Sequence, residues 1–318
     1  VRRIRLALLY GGDSSERDVS IASWRVVQEQ FDPGSFDLAH FDLKYDLARL
    51  IEAVPRLDAA FICMHGRGGE DGALQGFLEQ LGLPYQGSGV LASALAMNKK
   101  LSKVLFRSAG LNVPPGEVIH RQERSRVSES ADRIGFPLMV KPSCEGSSIG
   151  MSLVREAEAL EPAVERAFQY DSEILLEQYI RGVEVTCGIL GNAAPRALPL
   201  VEIVPSAGHE FFDLDAKYAP GATEEICPAR LNASLTEVCK QAALTAHRLL
   251  GCQGYSRVDM IVSADRAYVL EVNTIPGMTR TSLYPQAARA AGIEFPILLE
   301  ILVDLALGKE YPADGSLP

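Results

Sequence analysis

The stretch GYSRVDMIVSADRAYVLEVNTIPGMTRTSLYP, residues 254–285, constrains this chain more than any other. Two runs rich in β-branched, aliphatic and aromatic residues, 257–262 and 267–273, flank a short polar turn at 263–266, which predicts a β-hairpin. Side chains alternate across a strand, so Arg257 and Asp259 share one face, as do Glu271 and Asn273. A hairpin folded about Asp265 sets Asp259 opposite Glu271 and Arg257 opposite Asn273. The other face then takes Val258, Met260, Val262, Tyr268, Leu270 and Val272 as core. Two facing carboxylates repel and weaken a sheet unless a cation sits between them. With an amide oxygen beside them they form a hard donor set of the kind Mg²⁺ uses together with water and phosphate. A charged, merely solvated sheet face is the alternative. Asn273-Thr-Ile-Pro-Gly-Met-Thr follows at once, a Pro-Gly turn whose backbone N–H groups suit a developing anion.

Composition narrows the partners. A net charge of −10 argues against a general nucleic-acid or anionic-membrane surface. No uncharged run approaches the ~18–20 residues of a membrane helix. The opening VRRIRLALLYGG imitates a signal peptide but leads into GGDSSERD without a small-residue cleavage site, so it reads as a first buried strand. The six cysteines form no C-x-x-C pair and no zinc spacing, which predicts free thiols in a reducing cytoplasm.

The first ~95 residues alternate strand and helix: strand 4–10, a Gly/Ser turn, a helix carrying Trp24, strand 59–64, and a helix over 73–81 closed by Gly82. This pattern indicates an open α/β layer, with ligands at the carboxyl ends of its strands, where Glu16 and His65 fall. Solvent exposure or a turn hydrogen bond is the plainer reading of each. Gly87-Ser-Gly-Val-Leu-Ala fits the dinucleotide pattern G-x-G-x-x-A, but no full strand precedes it, and one long helix over 91–109 is expected after it. Further on, Leu138-Met-Val-Lys141-Pro and the return strand 150–154 enclose the Gly/Ser loop 143–150, which offers N–H groups, hydroxyls and an ammonium to an anion; a flexible surface hairpin is the alternative. No Walker loop or kinase signature occurs. Residues 174–180 read as a strand with an exposed acid at Glu177, and 184–190 and 196–204 as two more. An irregular stretch at 205–228 reads as a lid. Ser234-Leu-Thr-Glu237 reads as a capping box opening a helix to Leu250.

With these segments in order, the chain resembles the D-alanine–D-alanine ligases of the ATP-grasp superfamily over residues 4–305. The likeness rests on GGDSSERDVS, MHGRGGEDG with LQG, GSGVLASALAMNKKLSK, VKPSCEGSSIGMS, AKY, and SRVDM with EVNTIPGMTRTSL. Asn98 stands before Lys99 where Asp is more usual. The resemblance implies an α/β (α+β) fold of three domains: 1–95 an N-terminal α/β substrate domain, 96–181 a central ATP-grasp domain, and 182–318 a C-terminal catalytic domain with the lid. It implies ATP contacts from Lys99, Lys141, Ser147, Glu177, Ile180, Glu184 and Lys217, with Glu177 at the adenine edge and Glu184 at the ribose. It implies two Mg²⁺ ions, with Mn²⁺ as a substitute, on Asp259, Glu271 and Asn273. Glu16 would take the first D-alanine's ammonium near His65, and Ser282 with the Leu283 backbone the second one's carboxylate. Ser147, Tyr218 and Glu16 resemble the family's lid-closing group; Arg257 and the Gly277 N–H would stabilise an oxyanion. A cytoplasmic homodimer acting on small molecules, without nucleic acid or membrane, is implied. A D-serine, D-lactate or secondary-metabolite acceptor stays open, as does a non-catalytic ATP-binding regulator, although Tyr218 favours an amine acceptor.

Overall fold

The computed structural model describes residues 2–144, 149–205, 223–279 and 281–311. Among the described residues, three sheets carry the fold. The first is parallel, ordered β2-β1-β3, from β1 (Ile4–Tyr10), β2 (Phe36–Asp42) and β3 (Ala59–Ile62). Leu6 to Leu9 are fully buried, because a parallel strand covered on both faces needs an unbroken apolar run. Helices α1 (Arg17–Gln28), α2 (Leu47–Ala53) and α3 (Ala73–Gln80) belong to this layer. Strand β2 is an addition to the strands read from the sequence; its FDLAHFD pattern lacks a continuous apolar run.

The long helix expected over 91–109 is two: α4 (Val90–Met97) and α5 (Lys99–Ser108). Asn98 lies between them in extended conformation, and its side chain accepts a hydrogen bond from the Leu101 N–H at 3.0 Å. An Asn in that position caps a new helix better than it continues an old one. Both helices share a core with the C-terminal sheet through Ala92, Ala96 and Phe106.

The second sheet is antiparallel, β4-β7-β5-β6, from β4 (Gly116–His120), β5 (Leu138–Pro142), β6 (Ser152–Val154) and β7 (Glu173–Gln178). Helices α6 (Val127–Ile134) and α7 (Leu160–Phe168) pack on it through Val127, Ala131, Val164 and Phe168.

The third sheet runs β11-β10-β8-β12-β13, with β9 on β8. Its strands are β8 (Val183–Leu190), β9 (Arg196–Ala197), β10 (Val201–Pro205), β11 (Thr223–Ile226), β12 (Tyr255–Ser263) and β13 (Arg266–Asn273). The end of the stretch read as a lid is therefore a strand, β11, paired with β10; residues 206–222 lie outside the described residues. Helix α8 (Ala233–Leu250) covers one face, and α9 (Leu283–Ala290) and α10 (Phe295–Ala306) join the first layer's core. Asn232, rather than Ser234, caps α8: its side chain accepts from the Leu235 N–H, and the helix starts two residues earlier than the box suggests.

The central hairpin turns through Ala264 and Asp265, with Ser263 paired to Arg266. Carried along unbroken, that register would set Asp259 opposite Leu270. A β-bulge leaves Leu270 unpaired, so Asp259 faces Glu271 and Arg257 faces Asn273, the pairing expected. The bulge also corrects the core face of β13: Ala267, Val269 and Val272 are buried, while Tyr268 and Leu270 are only partly so.

Candidate active site

The first layer delivers its site residues at the carboxyl ends of β1 and β3. The turn after β1 is held by Arg17, whose guanidinium binds both oxygens of Asp42 at 2.9 and 2.5 Å and the Gly12 carbonyl at 2.9 Å. That grip holds the Asp42 carboxyl below the usual carboxylate range. Glu16 follows as the N-cap residue of α1, 8% exposed. Gly66 lies so close that a Cβ there would fall 2.5 Å from Glu16 Oε2, and its φ of +70° also favours glycine. His65 is buried, with Nε2 3.0 Å from Ser23 Oγ and Nδ1 3.5 Å from Glu70 Oε1.

Opposite stands the hairpin. Asp259, 8% exposed, accepts from Arg257 Nε at 2.9 Å and Nη2 at 2.8 Å, from Thr186 Oγ1 at 2.6 Å, and from Asn273 Nδ2 at 3.0 Å. Glu271 Oε2 lies 3.4 Å from Lys99 Nζ. The conflict between the two acids is thus relieved by cations of the chain itself, Arg257 on one and Lys99 on the other. Thr186 is an addition to the expected site. Its signal is the alternation on β8 that sets Glu184 and Thr186 on one face, with Thr186 in register with Asp259.

After β13 the chain turns through Gly277 to Ser282, the N-cap residue of α9. Ser282 Oγ accepts from the Thr279 N–H at 2.9 Å and lies 2.8 Å from Thr279 Oγ1. Ser282 and Leu283, at the α9 N-terminus, line the same space, and a helix N-terminus suits an anion.

A cavity of about 590 Å³ lies between these walls. Glu16, His65, Arg257, Glu271, Asn273, Gly277, Ser282 and Leu283 all line it. So does Glu225 of β11, outside the expected set; burial raises its carboxyl above the usual range, against a hydrogen bond from Gln286 and the charge of Arg257.

The remaining candidates gather on the second sheet. Glu177 was expected as an exposed acid, but it is 2% exposed, because two ammonium groups enclose it: Lys141 Nζ at 2.6 Å from Oε2, and Lys103 Nζ at 2.5 Å from Oε1. Burial pushes its carboxyl up, yet the two lysines outweigh burial and hold it below the usual range. Lys103 escaped the sequence reading; its signal is its spacing of four from Lys99, one turn along the same face of α5. Ile180 follows β7, and Glu184 sits on β8 in register with Ile261 and Ile203. Ser147, Lys217 and Tyr218 lie outside the described residues. Among the described residues no group of three His, Cys, Asp or Glu side chains stands ready for a metal ion; the expected donors are Asp259, Glu271 and the Asn273 amide. All three are oxygen donors on one hairpin, a set that fits a hard divalent cation.

Two family models match the chain: D-ala D-ala ligase N-terminus over residues 46–88, and D-ala D-ala ligase C-terminus over residues 105–304. A D-alanine–D-alanine ligase of Syntrophobacter fumaroxidans is 52% identical, covering 96% of this chain and 98% of the relative. Another from Desulfotalea psychrophila is 46% identical, covering 98% of each. Among solved structures, D-alanine–D-alanine ligase from Bacillus anthracis complexed with ATP superposes with a TM-score of 0.84 at 36% identity, covering 96% of this chain and 98% of that one. The VanG D-Ala:D-Ser ligase of Enterococcus faecalis gives 0.82 at 31%, covering 96% and 100%. The three sheets are those of the ATP-grasp fold.

Proposed function

This chain belongs to the D-alanine–D-alanine ligase family, and from that premise we infer that it joins two D-alanines at the expense of ATP, supplying the dipeptide for peptidoglycan precursors. The observation that carries this reading is the single cavity in which an acid for an ammonium, a guanidinium, a Pro-Gly turn and a helix N-terminus converge.

The chemistry follows from those groups. A carboxylate is a poor acyl donor, so its oxygen first takes the γ-phosphoryl group of ATP, giving an acyl phosphate and ADP. Both reactants are anions. Lys99 and Lys141 offset their repulsion, and Lys217 is assigned to the transferred phosphoryl group. Glu16 holds the first D-alanine by its ammonium, with His65 beside it, so that the carboxylate points at Arg257. The second D-alanine lies with its carboxylate on Ser282 and the Leu283 N–H. Its amine attacks the acyl carbon, and the tetrahedral oxyanion falls between Arg257 and the Gly277 N–H; one such donor is typically worth ~3 kcal/mol. The oxyanion then collapses, expelling phosphate, which leaves as hydrogen phosphate with the proton that the attacking nitrogen gives up. Ser147 and Tyr218 are assigned, with Glu16, to closing the site against water, which would hydrolyse the acyl phosphate.

Asp259, Glu271 and Asn273 would hold two Mg²⁺ ions. Bound there, they would supply charge neutralisation for the phosphoryl transfer. Glu184 is assigned to ATP's ribose and Glu177 to the adenine edge, with Ile180 a further ATP contact. We assign 1–95 to substrate binding, and 96–181 with 182–318 to clasping the nucleotide. A cytoplasmic setting agrees with six free cysteines, and a homodimer rests on family likeness alone. Because a D-Ala:D-Ser ligase superposes nearly as well as D-alanine–D-alanine ligases do, the fold does not select the acceptor.

Phosphate release by the purified protein with ATP and Mg²⁺ tests the reading, with products identified by mass spectrometry. Release that needs D-alanine and yields D-alanyl-D-alanine is expected, with L-alanine inert. ATP binding without D-alanine turnover would shift the acceptor to D-serine or D-lactate.

A further inference from the structure

The buried group Lys103–Glu177–Lys141 carries two ammonium groups against one carboxylate. Each Glu177 oxygen meets its own lysine, Oε1 with Lys103 at 2.5 Å and Oε2 with Lys141 at 2.6 Å. The side chains of Lys103 and Glu177 are 2% exposed and that of Lys141 is 11% exposed. Neither Lys103 Nζ nor Glu177 Oε1 finds a well-aligned hydrogen bond among the described residues, so each leans on the other's charge. Burial pulls the Lys103 ammonium below its ordinary range, and the Glu177 charge opposes that pull.

A buried cluster with one charge in excess is costly unless the excess meets an opposite charge. Lys103 comes from α5, which packs on α8 and β13, whereas Glu177 and Lys141 lie on neighbouring strands of the second sheet. The pair therefore ties α5, which shares a core with the third sheet, to the second sheet. A Lys99 N–H bond to the Ser143 carbonyl, at 3.1 Å, runs alongside it.

We propose that Lys103 is a positioning residue for ATP: it neutralises Glu177, so that the charge of Lys141 is left for the nucleotide's phosphates. Lys103 is too buried to touch the ligand itself. Lys141, the most exposed of the three, presents the excess charge. Without Lys103, Glu177 and Lys141 neutralise each other and the phosphates lose a cation. The inference rests on the ATP-dependent reading above and names a residue outside its assigned contacts.

The test uses the full chain with Lys103→Met, Lys103→Arg, Glu177→Gln and the double variant Lys103→Met/Glu177→Gln. ADP affinity is read by titration calorimetry, and the KM values for ATP and D-alanine by phosphate release. Loss of one charge-assisted contact predicts that Lys103→Met weakens ADP and raises the ATP KM about tenfold, with kcat and the D-alanine KM held. Lys103→Arg retains the affinity, and on the Glu177→Gln background Lys103→Met costs no further affinity, because the carboxylate that would take up the charge of Lys141 is gone. A purely structural role predicts a lower melting temperature with unchanged ADP affinity, and that result overturns the proposal. So does a double variant about tenfold weaker for ADP than Glu177→Gln alone. Should Lys103→Met fail to fold, the double variant, which keeps the parent's single excess charge on Lys141, decides against Glu177→Gln: ADP affinities within about threefold of each other support the proposal, and a tenfold further loss overturns it. The ADP titration reads the proposal even if D-alanine proves not to be the substrate.

Discussion

Arg257 and Asp259, two residues apart on β12, form a two-pronged ion pair, Nε to Oδ1 at 2.9 Å and Nη2 to Oδ2 at 2.8 Å. Strand alternation puts both on the cavity face, and the planar fork of Arg matches the carboxylate where Lys would not. The acid assigned to cation binding thus also aims the guanidinium assigned to the oxyanion. Asp259→Asn strikes both tasks at once. Turnover is expected to fall at least ~10³-fold, more than the loss of one oxyanion donor alone. The fold should persist, since Thr186 can still bond the new amide. Phosphate release and circular dichroism check this; turnover within tenfold of the parent would remove Asp259 from both roles.

At the other wall, Glu16 depends on Gly66. A Cβ on residue 66 would lie 2.5 Å from Glu16 Oε2, and at φ +70° it would also strain the backbone. Gly66→Ala should therefore push the carboxylate off the first D-alanine's ammonium and raise the D-alanine KM at the first site. Glu16→Gln should do the same without the backbone strain. Initial-rate kinetics that resolve the two D-alanine sites would check both. If the defect fell on the ATP KM instead, Glu16 would belong to another subsite.

Much of this was legible in the chain because strand alternation is local. Asp259, Glu271, Arg257 and Asn273 declare a shared face within one hairpin. What sequence hides is nonlocal or one residue wide. Leu270 bulges out of β13, and no residue in SADRAYVLEV announces it, yet that slip moves Val269 into the core and Tyr268 out of it. Lys103 reads as one more surface lysine in NKKLSK until the fold brings Glu177, on a distant strand, against it. Strand β2 shows too little apolar alternation to stand out, and only pairing with β1 defines it.

Asn98 divides α4 from α5 and sends Lys99 toward Glu271. Its side chain accepts the Leu101 N–H at 3.0 Å, and losing such a cap costs about 1 kcal/mol. Asn98→Ala should lower the denaturation midpoint correspondingly. It also removes the group that competes with helix continuation, so Lys99 should shift and the ATP KM should rise. Asn98→Asp, an equally good cap, should leave both unchanged. A stability loss with no change in the ATP KM would confine Asn98 to capping.

The last prediction concerns pH and stability, away from the cavity. His247 of α8 is 1% exposed; Nδ1 lies 2.7 Å from Ser256 Oγ, and Nε2 has no hydrogen-bond partner among the described residues. Burial, with a smaller push from the Arg248 charge, lowers its pKa to about 4. In the unfolded chain a histidine titrates near ~6.5. Between these values the unfolded state binds a proton that the folded state refuses. The contribution to stability is therefore complete above pH ~6.5 and declines as pH falls toward 4. A shift of that size corresponds to a loss of about 2 kcal/mol by pH 5, before most carboxylates titrate. His247→Gln keeps a polar group for Ser256 and carries no titrating ring. Urea unfolding at pH 7.5 and pH 5 should show the parent losing more stability than the variant, by about that amount. Equal losses in the two proteins would mean that His247 gains its proton without opening the core.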